Sequence, residues 1–220
     1  MTNIHIFYHV YQHADWEYLY QNQMHSLFVS GLYKHVKSIN VGVVGNRLLP
    51  FVTDKTQVRY YTENKEEAHT LKLVRDFCMS SCEEAQILYF HTKGISHINS
   101  AKLCSYSWRL MMEYFAIHKW KECVDYLKNY DAVGTNWTID THLGKKPHFS
   151  GNIWWAKSSY VNKLDHSYLD TNHRLDREFW IGSNYFVNNP KIKDIHNSGM
   201  NTVYGARHMS EIYSEINYIC

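Results

Sequence analysis

Side chains able to do chemistry collect at four places in this 220-residue chain. The first follows the apolar run 87–90, where His91, Thr92, Lys93 and Gly94 stand in succession. A lysine is a mobile point charge suited to phosphate oxygens, and a glycine lets a ligand approach the backbone closely. A histidine can donate, accept, take up a proton or ligate a metal. A strand that needed only a turn would not have to end in an imidazole, a hydroxyl and an ammonium, so the block reads as a site for something anionic. The plainer alternative is a solvated turn with its lysine in water.

The second place is the stretch 147–160, PHFSGNIWWAKSSY. His148, Ser150, the Gly151 backbone and Asn152 could line a pocket for a polyhydroxylated ligand, with Trp154 or Trp155 as a stacking face. The alternative puts both tryptophans in the core and makes SGN an ordinary turn. In the third, HRLDREFW (173–180), Asp176 and Glu178 diverge by about 200° on a helix, so only one can face a given cleft. Glu178, beside Phe179 and Trp180, is the expected inward one and a candidate general base. The alternative is a solvated face with an Arg174–Glu178 pair at i, i+4. The fourth holds His196 and Ser198 in a polar loop, among fifteen histidines that are mostly structural by expectation. Neither a GxxxxGK[ST] phosphate loop nor a GxGxxG fingerprint occurs, which removes the usual support for a kinase or a dinucleotide-dependent dehydrogenase.

The elements that must position these groups follow from periodicity. Residues 3–11 and 39–45 read as strands, as do 58–63, 86–90 and 131–137. A helix opens at Asp15 as N-cap, carries Trp16, Leu19, Tyr20, Met24, Leu27 and Phe28 on one stripe, and closes near Gly31. A second places Ala68, Leu71, Val74 and Cys78 on one face. Over 100–129 a stripe of Trp108, Met111, Met112 and Phe115 jumps to Ile117, Trp120, Val124 and Leu127, which requires a kink or a break near 116–119. Residues 174–187 look helical, and the tail from about 190 is undecided. Strands alternating with helices define an α/β protein with a mainly parallel sheet covered on both faces. Ligands of such sheets sit beyond the carboxyl ends of the strands, here Tyr8 and His9, Gly45, His91 to Gly94, and Asn136.

Bulk properties narrow the classes. The net charge of +2, from 23 basic and 21 acidic side chains, argues against nucleic-acid or membrane binding by overall electrostatics. Five scattered cysteines without a CxxC pair read as reduced thiols of a cytoplasmic protein. No run approaches the ~20 apolar residues of a membrane span. A single domain over 1–220 is expected, standing alone or as part of a larger protein; oligomeric state is not readable.

In order, the blocks IHIFYHVY, INVGVVG, LYFHTKG, DAVGTNW, HFSGNIWWAKSSY and REFW resemble a glycosyltransferase-like group known from bacterial and large-virus sequences. The resemblance covers about residues 3–200. It implies a GT-A-type fold, the nucleotide-diphospho-sugar transferase variant of a Rossmann-like, mainly parallel sheet flanked by helices. It also implies a nucleotide-diphospho-sugar donor, of UDP type, and a saccharide acceptor. Such folds usually end the strand before the donor site in Asp-x-Asp, which holds Mn or Mg. Here that place reads His91-Thr92-Lys93, and Asp-x-Asp is absent from the chain. Either Lys93 neutralises the diphosphate without metal, or His91 and His196 retain a metal site. By the same resemblance Ser150, Gly151 and Asn152 would contact the sugar, and Tyr8 and His9 the nucleobase and ribose. Glu178 or Asp176 would act as the base of an inverting transfer. Two other readings are a non-catalytic carbohydrate- or nucleotide-binding module on a degenerate transferase fold, and a histidine-rich metallohydrolase, which lacks an HExxH motif.

Overall fold

The computed structural model describes residues 3–97, 99–140, 144–199 and 213–219. In chain order the principal elements are β1 (Ile4–Tyr11), α1 (Trp16–Val29), β2 (Val36–Val44), β3 (Thr56–Tyr61), α2 (Ala68–Ser80), β4 (Gln86–His91) and α3 (Asn99–Glu113). A π-helical turn, Tyr114–His118, leads to α4 (Trp120–Tyr126), β5 (Ala132–Gly134), β6 (Trp137–Asp140), β7 (Lys146–Phe149) and β8 (Trp154–Lys157). The chain continues through α5 (Ser158–Val161), α6 (Asp176–Phe179), α7 (Tyr185–Asn188) and β9 (Ile192–Asp194).

Seven strands form one sheet in the order β3-β2-β1-β4-β8-β5-β9, and β6 and β7 form a separate antiparallel ribbon. β1 is parallel to β2 and β4, β2 to β3, and β5 to β9, while β8 runs antiparallel between β4 and β5. The expected α/β class with a mainly parallel sheet is therefore present. β1 is buried on both faces, which is why its sequence lacks a polar alternation. Ile6, Tyr8 and Val10 pack with Leu19, Met24 and Leu27 of α1 and Met111 of α3. Phe7, Ile87 and Tyr89 pack on the other side with Leu71, Val74 and Cys78 of α2. No helix among the described residues is long and apolar enough to cross a membrane.

The expected jump in the stripe after α3 is a π-helical turn. One extra residue per turn rotates the following side chains by roughly 100°, which moves Ile117 and Trp120 into the core. The wider turn also frees a carbonyl: Trp155 Nε1 donates to Ala116 O at 2.8 Å. The two tryptophans of β8 are sealed on opposite faces of the sheet, so neither is a sugar-stacking platform.

Other expectations need correction. Asp15 makes no side-chain cap and instead pairs with Lys102 at 2.7 Å. Phe28 is exposed. Residues 174–187 are not one helix: α6 gives way to a 3-10 turn, Trp180–Gly182, before α7. At Gly182, in that turn, a Cβ would fall 1.9 Å from Pro147 O, so the chain there is pressed against the β7 backbone.

Candidate functional site

From β1 the chain winds to β2 and β3 on one side, whereas β4 lies on the other. The carboxyl ends of β1 and β4 therefore flank a topological switch point, the place where open α/β sheets leave a crevice. A cleft of about 280 Å³ lies there. Its floor is His9 and His91, direct neighbours across the β1–β4 pair, and one wall is the turn that carries Lys93 and Gly94. The facing walls come from the segment before α2, with Glu66 and Glu67, and from the start of α6, with Arg174, Arg177 and Glu178.

Glu67 organises the buried end. Its Oε2 accepts the Tyr89 hydroxyl at 2.8 Å and Asn152 Nδ2 at 2.5 Å, and its Oε1 faces His91 Nδ1 at 3.4 Å. Burial alone would raise its carboxyl pKa, but His91, His9, Lys93 and the Tyr89 hydroxyl outweigh burial and hold it below the usual range. His91 is lowered, because burial disfavours the imidazolium more than Glu67 favours it. Its Nε2 donates to Gly151 O at 2.9 Å, which fixes Nδ1 as the nitrogen turned toward Glu67. His9, held through Nδ1 by Thr70 Oγ1 at 2.9 Å, is pushed down to about 4 by burial.

The Gly151 peptide joins both sides of the cleft. Its carbonyl receives His91, and its N–H donates to Glu178 Oε1 at 2.6 Å. Gly151 and Asn152 both have positive φ, +94 and +54, a tight turn that aims this peptide at the two side chains. Across the cleft, the Lys93 ammonium lies 4.5 Å from the centre of the Trp108 ring and forms no ion pair among the described residues. Arg177 is committed elsewhere: its guanidinium donates to Thr171 O at 2.5 Å and His173 O at 2.6 Å, tying down the preceding loop.

The structure thus brings His9, His91, Thr92, Lys93, Gly94 and Glu178 to one cleft, as their order suggested. Thr92 is partly spent, since its Oγ1 accepts the Tyr11 N–H at 3.0 Å. Gly94, at φ +75, approaches α3 so closely that a Cβ would meet Ser105 Cβ at 2.3 Å. Several expected members lie elsewhere. Tyr8 faces the opposite side of the sheet, fully buried, with its hydroxyl on Gln23 Oε1 at 2.6 Å; adjacent strand residues cannot share one face, so Tyr8 and His9 cannot both meet a nucleotide here. Ser150, Gly151 and Asn152 do not line the cleft; Gly151 and Asn152 brace it from behind. His148, buried with Nδ1 near Lys146 O, is also outside. Asp176 turns to His173 at 3.5 Å, away from the lining. His196 stacks on Phe115 with ring centres 4.7 Å apart and is not brought to His91's cleft. Among the described residues no group of three or more His, Cys, Asp or Glu is disposed to hold a metal ion. Glu67 was missed because an acid at the start of a helix ordinarily just complements the helix dipole; its one signal is the doubled acid Glu66-Glu67 directly before α2.

Fold and cleft define an α/β protein with a mainly parallel sheet and a polar, titratable crevice at its switch point. Residues 7–177 match the family described as Domain of unknown function (DUF8361), and the chain belongs to that family. No curated protein matches its sequence.

Proposed function

We propose that the protein is a glycosyltransferase of GT-A type that moves a sugar from a nucleotide-diphosphate donor, of UDP type, to a hydroxyl of a saccharide acceptor. The observation that carries this reading is that one switch-point cleft holds both the Lys93 ammonium, which forms no ion pair among the described residues, and the Glu178 carboxylate. A diphosphate against Lys93 would gain a cation that forms no direct ion pair among the described residues, Glu67 acting on it only from a distance. On the facing wall Glu178 would take the proton of the acceptor hydroxyl. The acceptor oxygen bonds to the anomeric carbon while the bond from that carbon to the phosphate oxygen breaks. The electron pair leaves with the nucleoside diphosphate, where Lys93 offsets the developing charge. In-line displacement inverts the anomeric centre. No step is assigned to a divalent cation.

One observation favours a second reading. Glu178 Oε1 is already used by the Gly151 N–H at 2.6 Å, an engagement that serves structure as well as chemistry. On that reading the cleft is a carbohydrate- or nucleotide-binding module without turnover.

Calorimetry with UDP and a panel of UDP-sugars, with and without Mn²⁺, tests both. A transferase binds UDP and loses about tenfold or more in affinity on Lys93→Ala, the loss of a charged contact. Glu178→Gln keeps donor binding and loses about 10²–10⁴-fold in turnover. Saccharide or nucleotide binding with no turnover in the wild type supports the module. If no nucleotide binds, the transferase reading fails.

A further inference from the structure

A second cavity, of about 390 Å³, opens between α1 and α3 on the far side of the Lys93-Gly94 turn. Gly94 and Ile95 line both this groove and the cleft, so the two are separated by one turn of backbone. That partition is thin because Gly94 lets the turn press against α3, where any side chain would strike Ser105. The groove is walled by Leu19, Ile95, Leu103, Tyr18 and Tyr106, of which Tyr18 is 67%, Leu103 62% and Tyr106 46% exposed. Large apolar side chains held out to water around a concavity mark a place where something apolar is bound.

The charges at the groove are already used by the protein. Asp15 and Lys102 pair with each other at 2.7 Å. Arg109 donates to Lys93 O at 3.1 Å, lies 3.3 Å from Glu113 and stacks its guanidinium over Tyr106. What remains for a ligand is two phenol rings and aliphatic surface, which offer a charged polymer no partner and suit an apolar body. We infer that this groove is the acceptor subsite, and that it takes a saccharide acceptor carried on an apolar alkyl body. The body lies between α1 and α3, and the sugar hydroxyl reaches past Gly94 into the cleft. This rests on the transferase reading and adds the acceptor's chemical class to it.

The test uses n-octyl β-glucoside below its micellar concentration and methyl β-glucoside as probes, titrated calorimetrically against the full chain. UDP is titrated separately. The octyl compound should bind more tightly than the methyl compound by about tenfold or more, since its added methylenes are buried. Leu103→Asp should abolish that difference and leave UDP affinity and the melting temperature unchanged, the side chain being exposed. Tyr106→Ala should weaken octyl binding in the same direction. Equal affinity for the two glucosides, or octyl binding indifferent to Leu103→Asp, overturns the inference. If UDP does not bind while the octyl preference and its loss in Leu103→Asp persist, the groove stands as an alkyl-glycoside site and the transferase reading fails alone.

Discussion

Gly151 offers the sharpest test of how the cleft is held. Its φ is +94, and a Cβ there would lie 2.5 Å from Met112 Sδ, 2.9 Å from Met112 Cε and 3.0 Å from Trp108 Cζ2. Gly144 supplies the control, with φ +82 and nothing within 4 Å of its would-be Cβ among the described residues. Gly144→Ala should therefore cost only left-handed strain, about 1–2 kcal/mol. Gly151→Ala carries the same strain plus overpacking against a buried methionine and indole, about 1–3 kcal/mol more, or roughly 2–5 kcal/mol in total. For a chain of this size each kcal/mol lowers the melting temperature by about 2–4 °C, so the two variants should fall by roughly 2–8 °C and 4–20 °C. Urea denaturation and thermal melts of both variants measure the difference. Because the Gly151 peptide holds His91 and Glu178, the buried substitution should also weaken UDP binding, whereas Gly144→Ala should not. Equal destabilisation of the two variants would refute the packing argument, and unchanged UDP binding in a destabilised Gly151→Ala would refute the bracing role.

Two further expectations concern the buried polar groups. Gln23 Nε2 donates to His91 O at 3.1 Å and Glu113 Oε1 at 2.7 Å, and its Oε1 accepts the Tyr8 hydroxyl. Of these three partners the His91 carbonyl keeps the Lys93 N–H at 2.8 Å, so Gln23→Leu strands the Tyr8 hydroxyl and deprives Glu113 of a donor. It should cost roughly 2–6 kcal/mol in urea unfolding, with Tyr8→Phe in the same chain restoring part of it, and a neutral substitution would sink the account. The pH profile follows from His9, held at about 4 against 6.5 unfolded, with His91 shifted the same way. Between those values the unfolded chain binds protons that the folded one refuses, so stability falls as pH drops from 6.5 toward 4, by about 3 kcal/mol for His9. Glu67, depressed when folded, contributes stability above pH 4.5 that is lost as pH falls below it. His9→Asn should flatten the upper part of the slope in urea midpoints between pH 7 and 5; an unaltered slope would contradict the assignment.

Much of this was legible in the sequence where one local signal sufficed. The stripe of Trp16, Leu19, Met24 and Leu27 is the buried face of α1, and the expected break near 116–119, after Phe115, is a π-helical turn over Tyr114–His118. The polar block at the end of β4 does reach a cleft, and Glu178 rather than Asp176 faces it. What stayed hidden depends on partners distant in the chain. β8 has no alternation because β4 and β5 flank it and both its faces are buried, so WWAK gave no strand signal. Which of Tyr8 and His9 faces the cleft is decided by the sheet face that α2 covers, and no local pattern reports that. The residue types of the SGN turn suit a sugar and point to the lining of the site, yet Gly151 and Asn152 act through a peptide and an amide turned toward His91, Glu178 and Glu67.

The place of β8 between β4 and β5 also governs how the molecule can be made. Four parallel strands, β1 to β4, are complete once residue 91 has been synthesised, but the partner that covers the outer edge of β4 ends only at Lys157. At about 5–20 residues per second the nascent chain carries that bare edge, with Ile87, Leu88, Tyr89 and Phe90, for several seconds. A hydrophobic open edge is a template for intermolecular pairing, so chaperone demand on the ribosome should peak before β8 emerges and fall after it.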